Sequence, residues 1–152
     1  MKLDKIDRRL LEALQEDSGL SQRALADQVG LSQNACWRRL KALNEAGVIR
    51  NRTILLDRRK LGLGLVVFVM LRTRHHSTEW LEAFRKHVSG IEDVIDFFRI
   101  GGDYDYLLKI VTRDMDSFDA IYRRLISHVE LEAVTSYFGM EAIVEQRPIP
   151  LT

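Results

Sequence analysis

The sequence predicts an α+β fold in two parts, a small all-helical head followed by a domain that alternates strands and helices. Three observations predict it. Apolar residues recur at helical spacing up to about residue 50 and then give way to short β-branched runs. Two of the helical segments are separated only by "GLS". The charge divides at much the same place: residues 1–60 hold 13 Lys and Arg against 8 Asp and Glu, whereas residues 61–152 hold 10 against 14.

The head reads as three helices. In "LDKIDRRLLEALQED", Asp4 is placed to cap the first, and Ile6, Leu10 and Leu14 face inward. In "LSQRALADQVG", Ser21 is the cap, Leu20 and Leu25 form a hydrophobic staple, Leu25, Ala26 and Val29 make the buried stripe, and Gly30 ends the helix. The stretch "LSQNACWRRLKALNEAGVIR" repeats the pattern, with Ser32 as cap and Gly47 as terminator, so the third helix is expected over Gln33 to Ala46. Cys36, Leu40 and Leu43 fall on one narrow stripe of it, and Asn34, Trp37, Arg38 and Lys41 lie outside that stripe.

A turn as short as "GLS" forces the two helix axes apart at a large angle, which is the helix-turn-helix layout. In that layout the second helix enters the major groove of DNA and the first crosses the backbone. The residue types suit the task. The amides of Gln33 and Asn34 match adenine, Arg38 and Lys41 match guanine or phosphate, and Trp37 offers an apolar surface to thymine methyls or sugars. With Ser21, Gln22 and Ser32 at the two helix starts, these residues form the expected DNA-binding set. For any one of them taken alone, a solvated helix face is the commoner reading; the paired helices and the basic charge of this half favour DNA.

After the head, "NRTILLDRRKLGLG" contains a short extended run, Ile54 to Leu56, then a polar turn and two glycines. The expected domains are therefore 1–50, a helix-turn-helix (winged-helix-like) DNA-binding domain, 51–64, a linker, and 65–152. In the last, "LVVFVMLRT" reads as a central strand and "STEWLEAFRKHV" as a helix with Leu81, Phe84 and Val88 inward. "VIDFFRI" (94–100) and "YDYLLKIV" (104–111) read as strands joined across "GGD". "MDSFDAIYRRLISHV" puts Phe118, Tyr122, Leu125 and Val129 on one helix face, and "AVTSYFGMEAIVEQ" is again strand-like. The order β-α-β-β-α-β is the ferredoxin-like unit, an antiparallel sheet with two helices on one face. Its other face needs cover, so a homodimer formed by this half is expected, which would also pair the heads on two half-sites.

Other chemistries find little support. The single cysteine, Cys36, excludes an internal disulfide and fits a reducing compartment, where a small buried hydrophobe is its ordinary role. The four histidines lack carboxylates or cysteines at metal-ligand spacing, and neither a phosphate loop nor a nucleophile motif occurs, so no metal, cofactor or catalytic residue is expected. No apolar run approaches a membrane span and "MKLDKIDRR" is not a signal peptide, so a cytoplasmic protein is expected. A small enzyme with unannounced catalytic residues, and a scaffold whose head binds protein, are the competing classes.

The arrangement resembles the Lrp/AsnC, or feast/famine, transcription regulators over essentially the whole chain. The residues that carry the likeness are "LDKIDRRLLEALQED", "LSQRALADQVGLSQNACWRRLKALNEAGVI" and above all "GGDYDYLLKI", which is similar to the family's G-D-x-D-Y-L-L signature. The resemblance implies a DNA-binding, nucleoid-associated regulator of amino-acid metabolism that assembles as dimers or as an octameric ring of dimers. It further implies a pocket between sensing domains for a small effector, usually an amino acid, built from Gly101, Gly102, Asp103, Tyr104 and Asp105, with Thr135 and Ser136 as further contributors. The local chemistry agrees, since the glycines let backbone approach a ligand and Asp103 or Asp105 can accept bonds from an α-ammonium, although a plain hairpin turn would use the same residues. One departure is that many members carry proline near the start of the recognition helix, where this chain has Gln33, Asn34 and Ala35. Operator preference is therefore not carried over.

Overall fold

A computed structural model describes residues 2–151. Its contacts divide the chain into two compact units, one running to Leu56 and resuming at Val144, the other Asp57–Ile143. The first holds helices α1 (Lys5–Glu16), α2 (Gln22–Val29) and α3 (Gln33–Glu45). The second holds β1 (Leu65–Arg72), α4 (Thr78–Ser89), β2 (Val94–Arg99), β3 (Tyr106–Thr112), α5 (Met115–Ile126) and β4 (Ala133–Phe138).

Each head helix starts where a side chain can satisfy its orphan N–H groups. Asp4 accepts from the Ile6 and Asp7 amides, both at 2.8 Å, while Asp7 reaches back to the Asp4 amide at 3.1 Å. This is a reciprocal capping box with aspartate in place of the usual glutamate. Ser21 and Ser32 cap α2 and α3. Gly30 ends α2 at φ +73°, a left-handed conformation that only glycine adopts without strain. The stripes that face inward meet in one core of Leu10, Ala13, Leu25, Ala26, Val29, Cys36 and Leu40. Burial also pushes the Cys36 thiol above its ordinary value, which keeps it an unreactive packing residue.

The strands of the second unit lie in the order β2-β3-β1-β4, all pairs antiparallel, which is the ferredoxin-like arrangement. Residues alternate between faces. Val67, Val69 and Leu71 of β1 and Tyr106, Leu108 and Ile110 of β3 join Phe84, Val88, Phe118, Ile121 and Leu125 from the helices in a single core. Two rows remain on the opposite face, Phe98–Leu107–Met70–Thr135 and Asp96–Lys109–Phe68–Tyr137. Phe98 and Tyr137 there are 55% and 54% exposed.

Four details differ from expectation. The last helix stops at Ile126 because Ser127 turns extended and His128 takes a positive φ, so Val129 reaches the core from a loop. The final strand ends at Phe138, and residues 139–151 are irregular. Residues 144–151, expected with the sheet, group instead with the helices, because Gln15 both donates to the Ile149 carbonyl (3.0 Å) and accepts from its amide (2.7 Å). Lastly, Tyr104 and Asp105 precede β3, so the loop between β2 and β3 is longer than "GGD", closed by the Ile100 amide on the Asp105 carbonyl at 2.8 Å.

Candidate DNA-binding face and effector loop

On α3 the buried residues Cys36, Leu40 and Leu43 fix which residues face away. Asn34 and Arg38 point to solvent and make no side-chain bond or ion pair among the described residues. Gln33, beside them at the helix start, is exposed as well. Trp37 is 52% exposed, and the Lys41 ammonium lies 5.3 Å from its ring centre, with Glu45 3.8 Å from the same ammonium. The two serines act first as caps: the Ser21 hydroxyl accepts from Ala24 N at 3.1 Å and the Ser32 hydroxyl from Ala35 N at 3.3 Å. Gln22 donates through Nε2 to the Gln33 carbonyl at 3.2 Å, which ties the start of α2 to the start of α3.

Arg39, the remaining cation of α3, turns to the other flank. It donates to Asp4 Oδ2 and Asp7 Oδ1, both at 2.7 Å, and so clamps α3 to the start of α1. The Asp7 amide, followed by the Arg39 guanidinium, holds the Asp4 carboxyl below its ordinary range, and the two aspartates raise the Arg39 value in turn. Sequence reasoning missed buried Asp7; the D-x-x-D spacing at a helix start was the signal that could have found it.

In the sheet unit the structure brings only part of the expected constellation together. Gly101, Gly102 and Asp103 form the exposed tip of the β2–β3 loop, and Gly102 has φ +123°. The Tyr104 hydroxyl lies 2.9 Å from Thr135 Oγ1 and so joins the loop to β4. Asp105 is committed to the scaffold: its Oδ2 accepts from the Thr73 amide at 2.9 Å and its own amide donates to the Leu71 carbonyl at 2.8 Å. Thr135 pairs with Met70 on the uncovered face, whereas Ser136, opposite core residue Val69, points to the helix side. Ser136 is therefore not brought together with Tyr104 and Thr135.

The histidines have ordinary surroundings. His75 lies 3.0 Å from Glu130 and stacks near Trp80, and His87 Nε2 sits 2.8 Å from the Arg124 carbonyl, to which it donates. Among the described residues no group of three or more His, Cys, Asp or Glu could hold a metal, and no helix is long and apolar enough to cross a membrane.

Comparison with known proteins adds two family matches. Residues 3–50 match the winged helix-turn-helix DNA-binding model, and residues 66–149 match the Lrp/AsnC ligand binding domain. The DNA-binding transcriptional activator DecR of Escherichia coli is 45% identical over 150 residues, covering 98% of this chain and 99% of that protein. The crystal structure of an AsnC family transcriptional regulator from Agrobacterium tumefaciens superposes with a TM-score of 0.93 at 45% identity and covers 97% of each chain. A transcriptional regulator from Neisseria meningitidis, solved as a complex with L-Met, gives 0.92 at 33% identity, covering 98% of this chain and 97% of that one.

Proposed function

Because the chain belongs to the Lrp/AsnC family of DNA-binding transcription regulators, we propose that it is an amino-acid-responsive member that binds double-stranded DNA through α3. The observation that carries the reading is the division of labour on that helix: one stripe is buried, Arg39 is spent on the fold, and Asn34 and Arg38 are left unbonded with Trp37 and Lys41 beside them. Gln33, Asn34 and Arg38 read base edges. Ser21, Gln22, Ser32, Trp37 and Lys41 hold the helix pair in register on the backbone.

The effector is an amino acid held by the tip of the β2–β3 loop. Of the two candidate carboxylates, Asp103 is exposed and Asp105 is already bonded to Thr73, so Asp103 is the group that receives the α-ammonium. Gly101 and Gly102 give it room, and the Tyr104–Thr135 hydroxyl pair forms the adjoining wall. The L-Met complex of the Neisseria relative supports this class of ligand. The aromatic side chains left uncovered on the sheet, Phe68, Phe98 and Tyr137, support self-association into a homodimer, with an octamer as the higher assembly. Working domains of 1–50 and 65–143, joined by 51–64, with 144–151 belonging to the head, and a cytoplasmic, nucleoid-associated location belong to the same reading.

A thermal-shift screen against the twenty amino acids tests the sensing half, since a ligand that binds only the folded state raises its melting temperature. One or two selective shifts are expected, followed by a change in DNA affinity when that amino acid is present. Asp103→Ala should abolish the shift and leave basal DNA binding intact; an unchanged shift in that variant removes Asp103 from the site.

A further inference from the structure

Beside the outward face of α3 lies a cleft of about 410 Å³ whose floor is built from leucines of all three head helices and of the turn between α1 and α2. Its polar wall contains Trp37, Lys41, Asn44 and Glu45 from α3, Gln22 from the start of α2, and Arg52 from the coil that follows α3. Arg52 was not among the residues the sequence suggested, yet the fold sets it on the same flank as Gln22, Trp37 and Lys41.

The donors of this cleft can be sorted by what they already do. Asn44 Nδ2 is used on the Leu40 carbonyl at 2.7 Å, and Gln22 Nε2 on the Gln33 carbonyl. Lys41 shares its charge with Glu45, the cleft's one carboxylate, at 3.8 Å. Arg52 is exposed, and its guanidinium has no partner among the described residues. The cleft thus holds two cations against one anion, and the unbalanced charge is on Arg52. A helix lying in a major groove has sugar–phosphate backbone along its flanks, and the start of α2 on this flank adds N–H groups that have no intrahelical acceptor.

We propose that this cleft seats a backbone phosphate of double-stranded DNA, with Arg52 as its principal cation, Lys41 as the second, and the Trp37 ring against the adjoining sugar. The inference rests on the DNA-binding reading above and extends the interface beyond the helix pair. It assigns Arg52 to affinity and not to sequence choice, because a phosphate contact carries no base information.

The test is fluorescence anisotropy of the full-length protein on a labelled random-sequence duplex pool, with the binding constant followed as salt is raised. Each phosphate contact contributes about 0.9 to the slope of log affinity against log salt. Arg52→Gln should weaken binding and make the slope shallower by about 0.9 for each head engaged, with an unchanged melting temperature. Arg52→Lys, which keeps the charge, should restore the slope. If wild type binds with a steep slope and Arg52→Gln has the same slope and affinity, the phosphate assignment is overturned while the DNA reading stands. If Arg52→Lys loses as much slope as Arg52→Gln, a positive charge at this position is not what sets the slope and the assignment is likewise overturned. Failure of the wild type to bind any DNA would overturn the underlying reading itself.

Discussion

In the head, Asn34, Trp37 and Arg38 stand on a helix whose opposite face supplies its buried residues, so none of them belongs to the core. In the sheet domain, Tyr104 and Asp105 are candidate effector residues and structural residues at once, bonded to Thr135 and Thr73. The first arrangement would let a DNA-reading face vary with little loss of stability. The second would couple a ligand at the loop, where the effector is proposed to bind, to β1 and β4, the strands that carry much of the uncovered sheet face. That difference suits the proposed roles, a head that matches an operator and a sensor that transmits occupancy.

The largest expected effect compares one aromatic from each unit. Phe84 is buried and packs against Trp80, Phe97 and Tyr106 with ring centres 4.9, 5.6 and 4.9 Å away. Phe84→Ala should cost about 3–5 kcal/mol in urea denaturation. Trp37→Ala, which removes a half-exposed ring, should cost less, about 1 kcal/mol, and weaken DNA binding. Comparable stability losses would mean that the head's exposed face is structural too.

A smaller effect separates the two aspartates of the loop. Asp105→Ala leaves the amide of buried Thr73 without its acceptor, a loss of about 1–3 kcal/mol. Asp103→Ala should stay within about 0.5 kcal/mol. Equal melting temperatures for both variants would break the claim that Asp105 is committed to the scaffold.

Glycines sharpen the same contrast. Gly30→Ala imposes a side chain at φ +73° in the helix turn and should cost about 1 kcal/mol by thermal denaturation. Gly101→Ala, with open space around it and no positive φ, should leave folding unchanged and lower only effector affinity, measured by calorimetry.

The smallest effect is with pH. Asp4 has a folded value depressed below its ordinary 3.8 by the Asp7 amide and then by Arg39, and Asp114, the cap of α5, is depressed by Ser117. A depressed carboxyl contributes stability that is present above the unfolded value and lost as pH falls through the folded one. Both contributions are therefore complete near neutrality and fade below 3.8. Asp4→Asn should reduce the loss of melting temperature on acidification more than Asp114→Asn does, because Arg39 bonds Asp4 directly at 2.7 Å whereas Arg113 acts on Asp114 only through its charge. The reverse order would show that Arg39 adds little to the clamp.

Much of this was legible in the chain because it depends on neighbours in sequence. The caps at Asp4, Ser21 and Ser32, the stop at Gly30 and the stripe of Cys36, Leu40 and Leu43 follow from spacing alone, and the β-α-β-β-α-β order follows from the change of apolar period. The end of the last helix was less legible, since Tyr122, Leu125 and Val129 keep helical spacing while the backbone turns at Ser127 and His128. Of the expected effector residues, Tyr104 and Thr135 came together as a pair, whereas adjacency in sequence made Ser136 look equivalent to Thr135 when the pleat sends it to the other face.

The sequence by itself determined the helices, the strands and which of their faces are apolar, because those are properties of residues within a turn or two of one another. Only the tertiary structure decided how polar groups divide their work. Arg39 and Arg38 are adjacent, yet one reaches Asp7 across the head and the other faces solvent; Asp103 and Asp105 are two apart, yet only one meets the Thr73 amide; and Arg52 lines the same cleft as Lys41. A hydrogen bond or ion pair depends on distances of a few tenths of an ångström between distant parts of the chain, and those distances exist only once the helices and strands have packed.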